Sequence, residues 1–236
     1  MVNIVLCGIG GQGTVLASKL IAAAAMKKNI PVMSAETIGM AQRGGSVFSH
    51  LRMGEEVASP MIAKGEADLI IGFEPGETVR MLPYLKKDGQ VITAGHAIMP
   101  VTASLAAVMS ENKSSKATAI SDGCTGSELR KEQGGNVSGN NQKQSASNDD
   151  QKKNTVYDGS EMLEYLKKTV KNLTIVDTDT ACKELGSSKV MNVLMLGYAA
   201  RSGALGLSVT DIKEALKERL KESLWELNFR ALEYDK

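Results

Sequence analysis

Short apolar runs alternate with helically periodic stretches along most of the chain. Residues 2–7, VNIVLC, form a continuous apolar run closed by Gly8. That is the pattern of a buried parallel strand. From Gln12-Gly13 onward, Val15, Leu16, Leu20, Ile21 and Ala24 recur as an apolar stripe. The stretch ends at Lys27-Lys28-Asn29, where cations favour a helix C-terminus. IPVMSAE (30–36) and SVFSHLRMG (46–54) predict a second and a third strand, and ADLIIGF (67–73) a fourth. Pro75-Gly76 opens a helix through Leu82, and GQVITAG (89–95) is a fifth strand with a turn at Asp88-Gly89. The order β-α-β-β-β-α-β predicts an α/β fold, a Rossmann-like, mostly parallel sheet flanked by helices and interrupted by one strand pair.

Residues 111–156 break the pattern. They hold no aromatic side chain and only scattered small apolar ones. Ordering backbone costs roughly 1–2 kcal/mol per residue, and so few apolar groups cannot offset that on burial. This polar insertion is predicted to be disordered, a loop inside one domain spanning 1–236. Regular structure resumes at YDGSEMLEYLKKTV, where Asp158 and Glu161 fit a capping-box start and Met162, Leu166 and Val170 form a stripe. LTIVD (173–177) predicts a last strand, and VMNVLMLGYAARSG (190–203) an apolar helix ended by Gly203. Ser208 and Asp211 cap a further helix carrying Ile212, Leu216 and Leu220. There is no internal repeat.

Composition narrows the function. A net charge of +1 gives no polybasic field for nucleic acid. The three cysteines, Cys7, Cys124 and Cys182, are widely spaced, so neither a disulfide framework nor a zinc site is expected. Three thiolates cannot supply the four that an iron–sulfur cluster takes. No metal site is expected, and a reducing cytoplasm is the expected compartment. The start, MVNIVLCGIGG, lacks a basic n-region and is not read as a signal peptide. No run approaches a membrane span.

Chemistry concentrates in two glycine-rich stretches. GIGGQG (8–13) places Gly8, Gly10 and Gly13 between a strand and a helix, with Gly11 and Gln12 between them. Such a turn brings backbone N–H groups to an anion at a helix N-terminus, or it is a tight turn and nothing more. Glu36 ends the second strand, where a dinucleotide enzyme keeps its ribose acid. The next residues, TIGMAQRGGS, lead to a strand rather than to a crossover helix, which argues against a nicotinamide site. Arg43 stands before Gly44-Gly45, offering a planar charged fork beside accessible backbone. Met40, Ala41 and Val47 set this loop apart from a solvated turn.

Together, GIGGQG, ETIGMAQRGGSVFSHLR, ADLIIGFEPGE and VMNVLMLG resemble the gamma-type domain of 2-oxoacid:ferredoxin oxidoreductases, and most of all its indolepyruvate branch, in the beta subunit. The resemblance covers about 1–110 and 157–236. It implies oxidative decarboxylation of a 2-oxo acid on thiamine diphosphate with Mg, electron transfer through iron–sulfur clusters to ferredoxin, and acyl transfer to coenzyme A. The chain carries no GDG-type thiamine motif and too few cysteines for a cluster. The implied role is therefore a non-cluster subunit, inactive alone, beside a larger alpha subunit that bears thiamine and clusters. The resemblance suggests that Gly8, Gly10, Gly11, Gln12 and Gly13, with Arg43, Gly44 and Gly45, face the partner's active site or help to hold coenzyme A or another phosphate-bearing group. Glu36 is read as orienting the loop through backbone N–H groups, as contacting a partner's ligand, or as a solvated strand-end acid. Gly10, Gly11 and Gly13 would serve as backbone donors and Arg43 as an electrostatic clamp. No residue is read as a nucleophile.

Asn192, in an apolar helix, is expected to bond a neighbouring loop. His50 and His96 are read as structural, and the methionines as core or interface. Two other readings stay open: an autonomous NAD(P)- or flavin-binding oxidoreductase, and a homo-oligomeric anion-binding protein.

Overall fold

The computed structural model describes residues 1–38, 45–98 and 159–235. Arg43, Gly44, Asp158 and the insertion 111–156 lie outside the described residues, as does Cys124. Among the described residues are six strands and seven α-helices. They are β1 (Val2–Ile9), α1 (Thr14–Lys27), β2 (Val32–Ile38), β3 (Ser46–Met53), β4 (Ala67–Gly72), α2 (Pro75–Met81) and β5 (Leu85–Ala94). Then follow α3 (Ser160–Thr169), β6 (Asn172–Val176), α4 (Thr178–Leu185), α5 (Met191–Arg201), α6 (Val209–Arg219) and α7 (Trp225–Glu233).

The strands form one sheet in the order β2-β3-β1-β4-β5-β6. β1, β4, β5 and β6 are mutually parallel, while β3 runs antiparallel to both β1 and β2. The expected α/β architecture, with its one interrupting strand pair, is what the chain adopts. Alternate residues of β1 serve two cores, as the period of a strand dictates. Ile4 and Leu6 join Leu20 and Ile21 of α1 and residues of α4, α5, α6 and α7. Val5 and Cys7 join Met81 of α2 and Leu166 of α3. Full burial of a side chain such as Leu20 or Ile21 stabilises by roughly 1.5–3 kcal/mol, so α1 is held by Ala17, Leu20, Ile21 and Ala24 rather than by its caps. Of the expected stripe, Leu16 is exposed and Val15 only half-buried.

Several boundaries differ from the sequence reading. β5 starts at Leu85, and the turn expected at Asp88-Gly89 is an irregularity inside the strand: Ala67 pairs with Leu85, but Leu69 pairs with Gln90. Lys86 bonds Asp68 at 2.6 Å across that irregularity. α3 has Gly159 at its N-cap in the left-handed conformation, and the expected capping residue Asp158 lies outside the described residues. α4 was not anticipated. Asp177 caps it by accepting from Thr180 N at 3.1 Å, and Gly186 closes it at φ 77°. The Ser208–Asp211 capping box at the start of α6 is present as expected.

Candidate functional site

β1 and β4 are parallel neighbours whose chains leave for opposite faces, into α1 on one side and α2 on the other. A crevice opens where connections diverge in this way, at the C-terminal ends of the strands. GIGGQG lies there. Gly11 and Gly13 have φ of 107° and 83°, which glycine adopts without penalty. A Cβ on Gly11 would meet nothing within 4 Å, whereas one on Gly13 would sit 2.7 Å from Asn192 Nδ2. Asn192 is buried, and its amide lies 3.5 Å from the Gly13 carbonyl, the loop contact expected of it.

Gln12 is the brace of this loop. Its Oε1 accepts from Ile9 N at 2.6 Å, and its Nε2 donates to the Phe73 carbonyl at 2.8 Å. Gly8 makes room for it, since a Cβ there would stand 2.6 Å from Gln12 Oε1 and 3.0 Å from Phe73 Cβ. Gly8 and Gln12 therefore build the turn. The Gly10 N–H donates to the Gly45 carbonyl at 2.8 Å and is committed within the protein. That bond also joins the two glycine-rich stretches directly. Among the described residues, the amides of Gly11 and Gly13 have no such partner. The first intrahelical bond runs from Ala17 N to Gly13 O, which leaves the amides of Thr14, Val15 and Leu16 ahead of it.

Beside these amides lies a cleft of ≈ 320 Å³, lined by Ile9, Gly10, Gly11, Gly13, Thr14, Val15 and Val47. Its walls are aliphatic and its polar component is backbone. Thr14 is buried and its hydroxyl has no hydrogen-bond partner.

Two acids that were given no role in the sequence reading stand across the crevice. Glu74 caps α2 by accepting from Glu77 N at 2.8 Å, and both residues are buried. Glu77 Oε2 accepts from Ser46 Oγ at 2.5 Å, while its Oε1 lies 3.5 Å from Arg80. An acid before Pro75 followed by an acid three residues later was a legible capping signal. Burial pushes the Cys7 thiol up, and Glu77 and then Glu74 add to this against a hydrogen bond with Thr78. Cys7 is thus a neutral core thiol, neither a nucleophile nor a ready ligand.

Glu36 stands apart. It is exposed on edge strand β2, opposite Ser49, and level with Leu6 rather than with the end of β1. Because β3 lies between them, β2 is about 10 Å from β1. A ribose acid must sit on the strand next to β1, so Glu36 cannot serve as one. Of the other candidates, His50 accepts from Ile62 N through Nδ1 at 3.2 Å and packs edge-on against Phe48 and Tyr84. His96 pairs with Asp179 at 3.0 Å. Among the described residues, no group of three or more His, Cys, Asp or Glu could hold a metal. Nor is any helix among them long and apolar enough to cross a membrane.

Comparison with known proteins agrees with this architecture. The chain is 49% identical over 98 residues to an indolepyruvate oxidoreductase subunit IorB of Methanothermobacter thermautotrophicus, an alignment covering 42% of this chain and about half (50%) of that relative. An IorB subunit of Archaeoglobus fulgidus is 30% identical over 232 residues, 98% of this chain and 91% of the relative. In fold, the chain resembles part of the 2-oxoglutarate:ferredoxin oxidoreductase of Magnetococcus marinus, solved with 2-oxoglutarate, coenzyme A and succinyl-CoA bound. The TM-score is 0.56 at 14% identity, over 98% of this chain and 29% of that longer one. Residues 3–234 match the sequence profile described as pyruvate ferredoxin/flavodoxin oxidoreductase, and this protein belongs to that family.

Proposed function

We propose that this chain is the non-cluster subunit of a 2-oxoacid:ferredoxin oxidoreductase acting on indolepyruvate or another aryl pyruvate. Its glycine cleft and the Arg43 loop complete the active site of a larger partner. The Gly10–Gly45 hydrogen bond carries the reading, because it draws the two glycine-rich stretches into one rim. Arg43 precedes Gly45 by two residues in the chain. A guanidinium tethered so near to the rim can meet a phosphate or carboxylate presented at the first turn of α1.

The cofactors belong to the partner. Cys7 is buried in the core, and Cys182 is half-buried on α4. With Cys124 the chain has three thiols, one fewer than the four that a cluster takes. Thiamine diphosphate would supply decarboxylation, and clusters would pass electrons to ferredoxin. This chain contributes binding: amides at Gly11, Gly13 and the start of α1, aliphatic walls at Ile9, Val15 and Val47, and Arg43 as a clamp. That chemistry suits coenzyme A, whose phosphates and pantetheine arm ask for donors and an apolar track.

The test is reconstitution. The purified chain alone should not reduce ferredoxin with an aryl pyruvate and coenzyme A. Adding the thiamine- and cluster-bearing partner should start the reaction. In the complex, Arg43→Lys keeps the charge and loses the fork, and it should lower kcat/KM by about tenfold. Wild-type kinetics in that variant would remove the clamp.

A further inference from the structure

We infer that Glu77 is a positioning residue that sets the glycine cleft through Ser46. The inference rests on the reading that this cleft receives coenzyme A.

Glu77 belongs to α2, which packs on the face of the sheet opposite α1. Its carboxylate nevertheless reaches to the first residue of β3, where Ser46 Oγ donates to it at 2.5 Å. Ser46 pairs with Ile9 at the end of β1. The residue before it, Gly45, holds the Gly10 amide, and the residue after it, Val47, lines the cleft. A closed circuit results. Phe73 binds Gln12, Gly10 binds Gly45, and Ser46 binds Glu77, four residues along the chain from Phe73. Three segments distant in sequence are thereby fixed against one another at a single end of the sheet.

Glu77 is poorly explained by stability alone. It is the N3 residue of α2, where an acid ordinarily turns back to the N-cap backbone. Here its oxygens go to Ser46 and Arg80 instead. It is buried beside a second buried acid, Glu74, and near the Cys7 thiol. An apolar side chain of similar volume would serve a core there at least as well. What an apolar side chain could not do is hold Ser46.

The test uses the reconstituted complex and the chain itself. Ser46→Ala is a small change and is expected to fold. It and Glu77→Leu should each raise the KM for coenzyme A about threefold to tenfold, with kcat held within about twofold. The double variant should be no worse than either single one, because both remove the same link. Glu77→Gln keeps an acceptor for Ser46 and should restore a near-wild-type KM. In the chain alone, Ser46→Ala should speed hydrogen exchange at the Gly10 amide by about tenfold, as Gly45 loosens. Val15→Trp, which fills the cleft, separates the two claims. If it leaves the KM for coenzyme A unchanged, the cleft reading falls and this inference falls with it. If it raises that KM while Ser46→Ala and Glu77→Leu do not, the cleft stands and the role of Glu77 is overturned. Unchanged Gly10 exchange in Ser46→Ala would also overturn it.

Discussion

Gln12 and Phe73, 61 residues apart, are joined by one 2.8 Å hydrogen bond from the glutamine amide to the backbone carbonyl. The same side chain accepts from Ile9 N, so a single amide satisfies one donor and one acceptor of two different loops. Gln12→Ala would strand both. Leaving partly buried polar groups unpaired costs about 1–3 kcal/mol each, and water will recover part of that here. A loss of about 1–3 kcal/mol in urea-induced unfolding is expected. Gly8→Ala should resemble it, because the new Cβ would displace Gln12 Oε1 from 2.6 Å. Gly11→Ala has open space and is opposed only by its φ of 107°, so it should cost about 1–2 kcal/mol.

His50 gives a pH dependence whose sign is fixed. Burial lowers its pKa from the ordinary 6.5. The unfolded chain therefore takes up this proton at a pH where the folded chain does not. Stability from the neutral ring is complete above about pH 6.5 and declines as pH falls below it. His50→Phe strands the Ile62 amide that Nδ1 accepts and should be less stable at pH 8. The gap to wild type should narrow as pH falls below about 6.5, measured by urea unfolding on both sides of that value. A gap independent of pH would contradict a neutral His50.

At the start of α6, burial pushes the Asp211 carboxyl up. Hydrogen bonds from Ser208 N–H and Oγ, with Lys28 at 3.1 Å, outweigh it and hold the pKa below 3.8. The stabilisation is present above about pH 4 and is lost as pH falls through the lowered folded value. Asp211→Ala should cost about 1 kcal/mol at pH 7, and much less at pH 2. Thermal melts at the two pH values check this.

How far the sequence reached follows from what each contact depends on. Strands and the glycine turn were legible because apolar runs and glycines act locally: VNIVLC and GIGGQG announce a buried strand and a tight turn without reference to the rest of the chain. The occupancy of an N–H is not local. Nothing in GIGGQG tells that Gly10 is already bonded to Gly45, while Gly11 and Gly13 are not so engaged among the described residues. Glu77 and Ser46 lie 31 residues apart and meet only because β3 runs beside β1. Glu36 looked like a ribose acid because the count along the chain was right, yet strand order moved it to the sheet edge. α4 is different, for Asp177 and Gly186 were readable as its two caps. Its eight residues carry too short a stripe to stand out by periodicity.

The reversed direction of β3 has an evolutionary side. Ile38 and Val47 are ladder partners, so the eight-residue connection between them starts and ends at one place on the sheet. Insertions or deletions between those two feet leave every other strand pairing untouched. Changes of sequence in the stretch that carries Arg43 thus need not disturb the strand pairings that anchor its two ends.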